Sequence, residues 1–314
     1  MTIALLSHID LDAGYPDRFE AAGYSLHFAT TPAQRANLDP HIAQTIRAII
    51  TIGTLGVSAA EIAALPALEI ICAQGVGFEH IDLAAAKQRG IQVTHGPGTN
   101  SSSVVDHTLA LMLAITRRIP QFDAAVRAGE WKKTRWNVDG MSGKRLGIIG
   151  LGNIGAQIAR RAAGGFDMEV GYHNRRPQDD SPYHYFHSVT ELADWADYLV
   201  VATPGGANTT RLVNAQVLKA LGENGYLINI SRGSVVDSDA LIASLQRREI
   251  AGAALDVVDG EPKVPPAMLA LDNLVLTPHV AGRSPESVEN MMTLVLSNLD
   301  AHFSGKPVMT PVPE

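Results

Sequence analysis

Three residues of different chemistry each stand just beyond a short apolar run. Arg232 follows Tyr226-Leu-Ile-Asn-Ile-Ser231, Glu261 follows Ala251-Gly-Ala-Ala-Leu-Asp-Val-Val258, and His279 follows Leu274-Val-Leu-Thr-Pro278. The runs have the length and apolarity of buried parallel strands. A guanidinium, a carboxylate and an imidazole thus fall where successive strands end. In an open parallel sheet the crevice outside the carboxyl ends is where ligands bind. An imidazole exchanges a proton near neutrality, and a neighbouring carboxylate orients the ring and favours its charged form. A guanidinium pairs with a carboxylate and polarises a carbonyl. With a hydride source, this set suits reduction of a 2-oxo acid: Arg232 for the substrate, His279 as proton donor, and Glu261 beside His279. In the reverse direction the neutral imidazole serves as base. Pro262 and Pro278 stiffen the adjoining backbone.

A hydride source is indicated by Gly150-Leu-Gly-Asn-Ile-Gly155. The pattern GxGxxG is weak alone, but here it follows the strand-like Leu146-Gly-Ile-Ile and opens a helical stretch, Ile154–Ala163. Gly150 permits the tight turn, Gly152 lets backbone approach a pyrophosphate, and Gly155 lets helix and strand pack closely. The helix N-terminus offers amides and a positive dipole end to the phosphates. The next strand ends in Gly171-Tyr-His-Asn-Arg-Arg-Pro177, without the acid that binds a ribose 2′-hydroxyl in NAD sites. Asn174 stands near the expected place, followed by Arg175 and Arg176, which attract a 2′-phosphate. NADP(H) is therefore preferred, with NAD(H) as the alternative.

The elements that must position these residues alternate between strand and helix, which implies parallel sheets covered on both faces. In the first third, strands are expected at Thr2–Ser7, Ser25–Ala29, Ala48–Ile52, Glu69–Ala73 and Ile91–Thr94, with a helix at Ile81–Arg89 stopped by Gly90. Gly96-Pro-Gly-Thr-Asn100 breaks the pattern, and Ser102–Arg118 reads as a helix apolar nearly all round, expected at a domain junction. Further strands are expected at Arg145–Gly150, Met168–Tyr172, Tyr198–Ala202, Tyr226–Ile230, Gly252–Val257 and Leu274–Leu276. Pro285–Phe303 has helical apolar spacing and is expected to pack back on the first domain. The expected division is residues 1–98 with 285–314 around an inserted domain, residues 99–284.

Bulk properties narrow the function classes. A length of 314 residues suggests two domains, and 46% hydrophobic residues suffice for ordinary cores. A formal net charge of −7 argues against general nucleic-acid binding. The lone cysteine, Cys72, lies in Leu68-Glu-Ile-Ile-Cys-Ala73 and is read as a buried, inert thiol. Met1-Thr-Ile-Ala-Leu-Leu-Ser-His8 lacks the basic start of a signal peptide, and the run Leu109–Ile115 is too short to span a bilayer. Cytoplasmic residence is expected, with no membrane or nucleic-acid partner. His184 and His187, within Tyr183-His-Tyr-Phe-His187, have no nearby ligand set for a metal and are read as part of a surface connection. His107 is read as a satisfied interface histidine.

Three blocks make a family resemblance specific: Asn229-Ile-Ser-Arg-Gly-Ser-Val-Val-Asp237, Leu255-Asp-Val-Val-Asp-Gly-Glu-Pro262 and Leu276-Thr-Pro-His-Val-Ala-Gly282. They resemble signature blocks of the D-isomer-specific 2-hydroxyacid dehydrogenases, in the family's order and over essentially the whole chain. The resemblance implies catalytic roles for Arg232, Glu261 and His279. It implies that Asp256 contacts the nicotinamide carboxamide and that the amides of Val76 and Gly77, in Gly75-Val-Gly-Phe-Glu-His80, hold the substrate carboxylate. Asn153, Ile154, Thr203, Pro204, Ile230 and Gly282 join the implied cofactor contacts. It further implies a doubly wound Rossmann domain inserted in a smaller flavodoxin-like substrate domain, closing over the reactants, and a homodimer. Within the family, the arginine pair and the short C-terminus look most like NADPH-dependent glyoxylate/hydroxypyruvate reductases. Formate dehydrogenases place glutamine where this chain has Glu261. The rival readings are an NAD-dependent dehydrogenase of a larger 2-hydroxy acid and a dinucleotide-sensing regulatory protein on the same scaffold. Trp131-Lys-Lys-Thr-Arg-Trp136 is read as an interface loop, with Trp136 reaching a partner's active site as a bolder reading.

Overall fold

A computed structural model of the chain describes residues 2–132 and 135–313. It divides into two compact units, Met1–Asn100 with Ser284–Glu314, and Ser101–Arg283.

The first unit is built on a five-stranded sheet of β1 (Ile3–Ser7), β2 (Tyr24–Phe28), β3 (Ile46–Thr51), β4 (Ile70–Ala73) and β5 (Gln92–Thr94), in the order β2-β1-β3-β4-β5. Every pairing is parallel. Adjacent residues of one strand enter opposite cores. Leu5, Ile50, Ile70 and Cys72 pack with Val288, Met291, Met292, Val295 and Leu299 of the helix Pro285–Phe303. Leu6, Ile49, Ile71 and Val93 pack on the other face with Ile62, Leu65, Ile81 and Ala86. Burial on both faces is why these strands read as unbroken apolar runs. Cys72 is wholly buried, and that burial pushes its thiol up to about 12, as an inert core cysteine requires.

The second unit carries β6 (Arg145–Ile149), β7 (Glu169–His173), β8 (His184–Tyr185), β9 (Tyr198–Val201), β10 (Tyr226–Asn229), β11 (Gly252–Leu255) and β12 (Leu274–Leu276). Their order is β12-β11-β10-β9-β6-β7-β8, again all parallel. Six of them reproduce the dinucleotide-binding order, whose direction reverses between β6 and β9. Leu146 and Ile148 of β6 face a core shared with the helices Ser101–Thr116 and Asn153–Phe166. Ile149, Leu199 and Leu227 face the opposite core, covered by Val189–Trp195, Ala215–Leu221 and Ser238–Gln246.

The differences from expectation are local. Tyr183–His187 is not a plain surface connection, because His184 and Tyr185 form the edge strand β8 on Gly171 and Tyr172. A two-residue strand is too short to show periodicity. The helix expected over Ser102–Arg118 is Ser101–Thr116, and Arg118 takes a left-handed φ of 51° before a new helix, Ile119–Arg127. The expected helix Ile81–Arg89 is trimmed to Leu83–Gln88, with Asp82 as its N-cap.

Candidate active site

Because β6 to β12 are parallel, all their carboxyl ends lie along one edge of the second sheet. That edge collects Gly150, Asn174, Thr203, Arg232, Asp256, Glu261 and His279 from six successive strand ends. His279 Nδ1 donates to Glu261 Oε1 at 2.6 Å, and Glu261 Oε2 accepts the Val258 N–H at 3.2 Å. The carboxylate therefore fixes which imidazole nitrogen carries the inner proton. His279 Nε2 has no hydrogen-bond partner among the described residues, and the side chain is 38% exposed. It is thus open to exchange a proton with a ligand. Partial burial, the largest influence, would raise the Glu261 carboxyl. The His279 hydrogen bond and charge, the Val258 amide and the Arg232 guanidinium outweigh it and hold the group below the usual carboxylate range.

Arg232 is brought to this pair by close backbone packing. A Cβ on Gly233 would lie 2.1 Å from Val258 C and Asp259 N, so only glycine lets the two loops meet. Arg232 Nη1 donates to Ser231 O at 2.8 Å. The Asn229 side chain ties the loop internally, accepting from Ser231 N and donating to Arg232 O. Gly205, after β9, leaves room for the arginine stem, since a Cβ there would meet Arg232 Cγ at 2.7 Å. Thr203 O accepts the Ser231 hydroxyl.

His279 itself sits at a left-handed φ of 53°, a conformation that costs a non-glycine residue and needs external support. Asp256 supplies it. Its buried carboxylate accepts from Thr277 Oγ1 at 2.6 Å, Val280 N at 3.0 Å and Ala281 N at 2.9 Å. His279 N donates to Asp256 O at 2.8 Å. The Thr277 hydroxyl, having donated to Asp256, accepts from His107 Nε2 at 2.9 Å. His107 is therefore bonded to the anchor of the His279 turn. Asp256, expected only as a cofactor contact, also holds this turn in place. A spacing pattern could not reveal that role, because the donors lie 21 to 25 residues further along the chain.

The glycine-rich turn lies at the point where the strand order reverses. Gly150 has φ 99° and lies against Ala202 and Thr203, and a Cβ on Gly155 would stand 2.2 Å from Gly150 O. The helix Asn153–Phe166 has glycine as its N-cap with no side chain spent on its amides, whereas Ser188, Asn214 and Asp237 cap theirs. The N–H groups of Gly152, Asn153 and Ile154 donate to no protein group among the described residues, and nothing lies within 4 Å of a Cβ placed on Gly152. Unspent amides at an uncovered helix start fit a dinucleotide pyrophosphate. Arg175 and Arg176 are exposed, with no hydrogen bond or ion pair among the described residues, and so fit an added 2′-phosphate. Asn174 is bonded to the turn itself. Its Oδ1 accepts the Leu151 N–H at 2.8 Å, tying this loop to the turn.

Ile230 is nearly buried at the end of β10, Pro204 is exposed, and Gly282 follows Ala281 in the Asp256-anchored turn. Val76 and Gly77 belong to the first unit, beyond the carboxyl end of β4. Val76 is 42% exposed and its carbonyl accepts from His95 Nδ1 at 3.0 Å. A Cβ on Gly53 would touch Gly77 C at 2.5 Å, so the loops after β3 and β4 interlock here. Trp136 is half exposed, 5.4 Å from Phe122 between ring centroids, with the Arg118 guanidinium over its ring. Lys133 and Thr134 of that segment lie outside the described residues. No group of three or more His, Cys, Asp or Glu side chains placed to hold a metal ion occurs among the described residues.

The family model described as D-isomer specific 2-hydroxyacid dehydrogenase, NAD binding domain, matches residues 109–281. The chain belongs to the D-isomer specific 2-hydroxyacid dehydrogenases. Among relatives of this family, the hydroxyphenylpyruvate reductase of Plectranthus scutellarioides is 43% identical over 90% of each chain. A glyoxylate/hydroxypyruvate reductase of Arabidopsis thaliana is 42% identical over 91% of each chain. Among solved structures, the NADPH-dependent glyoxylate/hydroxypyruvate reductase of Sinorhizobium meliloti, in complex with NADP and malonate, superposes with a TM-score of 0.91. It has 35% identity, covering 99% of this chain and 97% of that one. The 2-hydroxyacid dehydrogenase of Ketogulonicigenium vulgare gives the same TM-score at 38% identity, covering 100% and 99%. These likenesses extend over both units, and the two parallel-sheet α/β folds are those of the family's solved structures.

Proposed function

We propose that this dehydrogenase reduces small 2-ketoacids, of the glyoxylate and hydroxypyruvate class, to D-2-hydroxy acids with NADPH. The observation that carries the reading is the 2.6 Å bond from His279 Nδ1 to an ionised Glu261 beside Arg232. When bound, the cofactor supplies a hydride to the ketone carbon. The chain's own work is to manage the charge and the proton. Arg232 pairs with the substrate and stabilises negative charge growing on the carbonyl oxygen. His279, its ring oriented by Glu261 at Nδ1, delivers a proton from Nε2 to that oxygen. The Val76 and Gly77 amides are the proposed carboxylate contacts, and Asp256, Thr203, Pro204, Ile230 and Gly282 the proposed contacts around the nicotinamide. The relatives' names, which range from glyoxylate to hydroxyphenylpyruvate, support the 2-ketoacid class more firmly than any one member.

The test is His279→Ala. Turnover with glyoxylate should fall by about a hundredfold or more, while NADPH still binds in a fluorescence titration. Retained turnover overturns the assignment. For the cofactor, replacing Arg175 and Arg176 together by alanine should raise the KM for NADPH by about tenfold or more and leave that for NADH nearly unchanged. An unaltered preference refutes the 2′-phosphate role.

A homodimer is also proposed. The exposed Ile119, Val126, Trp131 and Trp136 support it, and sedimentation as a monomer at micromolar concentration overturns it. Cytoplasmic residence is proposed as well, and cell fractionation tests it.

A further inference from the structure

The loop that carries the two arginines is fastened at both ends to one residue of the glycine-rich turn. Asn174 Oδ1 accepts the Leu151 N–H at 2.8 Å, and Gln178 Nε2 donates to Leu151 O at 2.5 Å. Both peptide groups of the residue between Gly150 and Gly152 are thus gripped by residues four apart in sequence. Two tyrosines of the neighbouring strands complete the fastening. Tyr172 Oη accepts the Gln178 N–H at 2.8 Å, and Tyr185 Oη donates to Asn174 O at 3.2 Å. Between these ends, Arg175, Arg176 and Pro177 make no hydrogen bond or ion pair among the described residues. Pro177 fixes its own φ and holds Arg176 to extended backbone. The course of the arginines is therefore set by how the two ends are tied.

We propose that Gln178 is a specificity-determining positioning residue for the cofactor. By clamping Leu151 opposite Asn174, it sets the spacing between the arginine loop and the turn. The proposal rests on the NADP(H) reading above. A 2′-phosphorylated dinucleotide presents two anionic groups at a separation limited by one nucleoside. A loop already at the right distance from the turn binds both without the entropy cost of ordering itself. The turn does not depend on the clamp, since Gly150 N donates to His173 O and Gly155 packs on Gly150. A nucleotide without the 2′-phosphate uses only the turn and is indifferent to the clamp. The Gln178 amide is spent on Leu151 O. It acts through the loop it holds.

The experiment is calorimetric titration of the whole chain with 2′,5′-ADP and with 5′-AMP. The variants are Gln178→Met, which keeps length and removes the amide, and Tyr185→Phe, which frees the other end of the loop without altering Gln178. Gln178 is exposed, so the first substitution leaves no cavity. The wild type should bind 2′,5′-ADP more tightly than 5′-AMP. Each variant should lose about fivefold in 2′,5′-ADP affinity, the worth of one hydrogen bond, and less than about twofold for 5′-AMP. A wild type that binds both nucleotides equally overturns the cofactor reading, and the proposal with it. A wild type that prefers 2′,5′-ADP, with variants that lose both nucleotides equally or neither, overturns the proposal alone.

Discussion

Glu261 and His279 form one hydrogen-bonded pair of titratable groups. The carboxylate stays ionised because the imidazole, the Val258 amide and the Arg232 guanidinium together outweigh its partial burial. By accepting from His279 Nδ1, Glu261 leaves Nε2 as the ring atom available to a ligand. Glu261→Gln removes that charge while keeping an acceptor for Nδ1–H. Turnover of glyoxylate at neutrality should therefore drop by about tenfold in this variant. Unchanged turnover in Glu261→Gln would show that the carboxylate does not serve the proton transfer. The types of these residues and their places after strands were legible in the chain. Their mutual orientation was not, because the residues are 18 positions apart and only two loops folded together give a 2.6 Å contact.

At the scale of elements, the turn after β12 is the part of the site with the most to lose. It holds His279 at positive φ, and its support comes from one buried carboxylate with three donors. Asp256→Ala leaves the Val280 and Ala281 amides and the Thr277 hydroxyl without their acceptor. The cost should be on the order of 3 kcal/mol in urea denaturation. Turnover should fall with it, as His279 relaxes from its constrained backbone. Normal stability with reduced turnover would mean that Asp256 acts on the cofactor alone. The strands themselves were legible because burial on both faces leaves unbroken apolar runs. Edge strand β8 was not, since His184 and Tyr185 gain strand geometry only by pairing with Gly171 and Tyr172. Helix ends shifted by a residue or two for a similar reason: caps such as Asp82 and the left-handed Arg118 set the ends more firmly than hydrophobic period does.

Over the whole molecule, two parallel-sheet units share the alternation of strand and helix. No helix among the described residues is long and apolar enough to cross a membrane. In the first unit, His8 stands just beyond β1, 2% exposed, with Nδ1 buried and unpartnered among the described residues. Burial is the main cause that lowers its pKa to about 4; Glu61 opposes the shift and Arg35 adds to it. The folded group stays neutral while the unfolded one takes up a proton below about 6.5, so stability is fully present above that pH. It is lost as pH falls from about 6.5 to about 4, by on the order of 3 kcal/mol. Urea denaturation at pH 7 and pH 4.5 should reveal this slope, and His8→Gln should flatten it. An equal slope in the variant would assign acid sensitivity to other groups. The sequence by itself determined the strand and helix alternation, the dinucleotide turn, the missing acid after β7 and the three polar side chains proposed for catalysis. These depend on local period, on glycine and on residue type, which a linear chain displays. Tertiary structure alone decided that Asp256 anchors the His279 turn, that Asn174 grips Leu151, and that Gln178 joins it. Each of those is a contact between residues distant in the chain, and a parallel fold creates such contacts only when it brings separate strand ends to one edge.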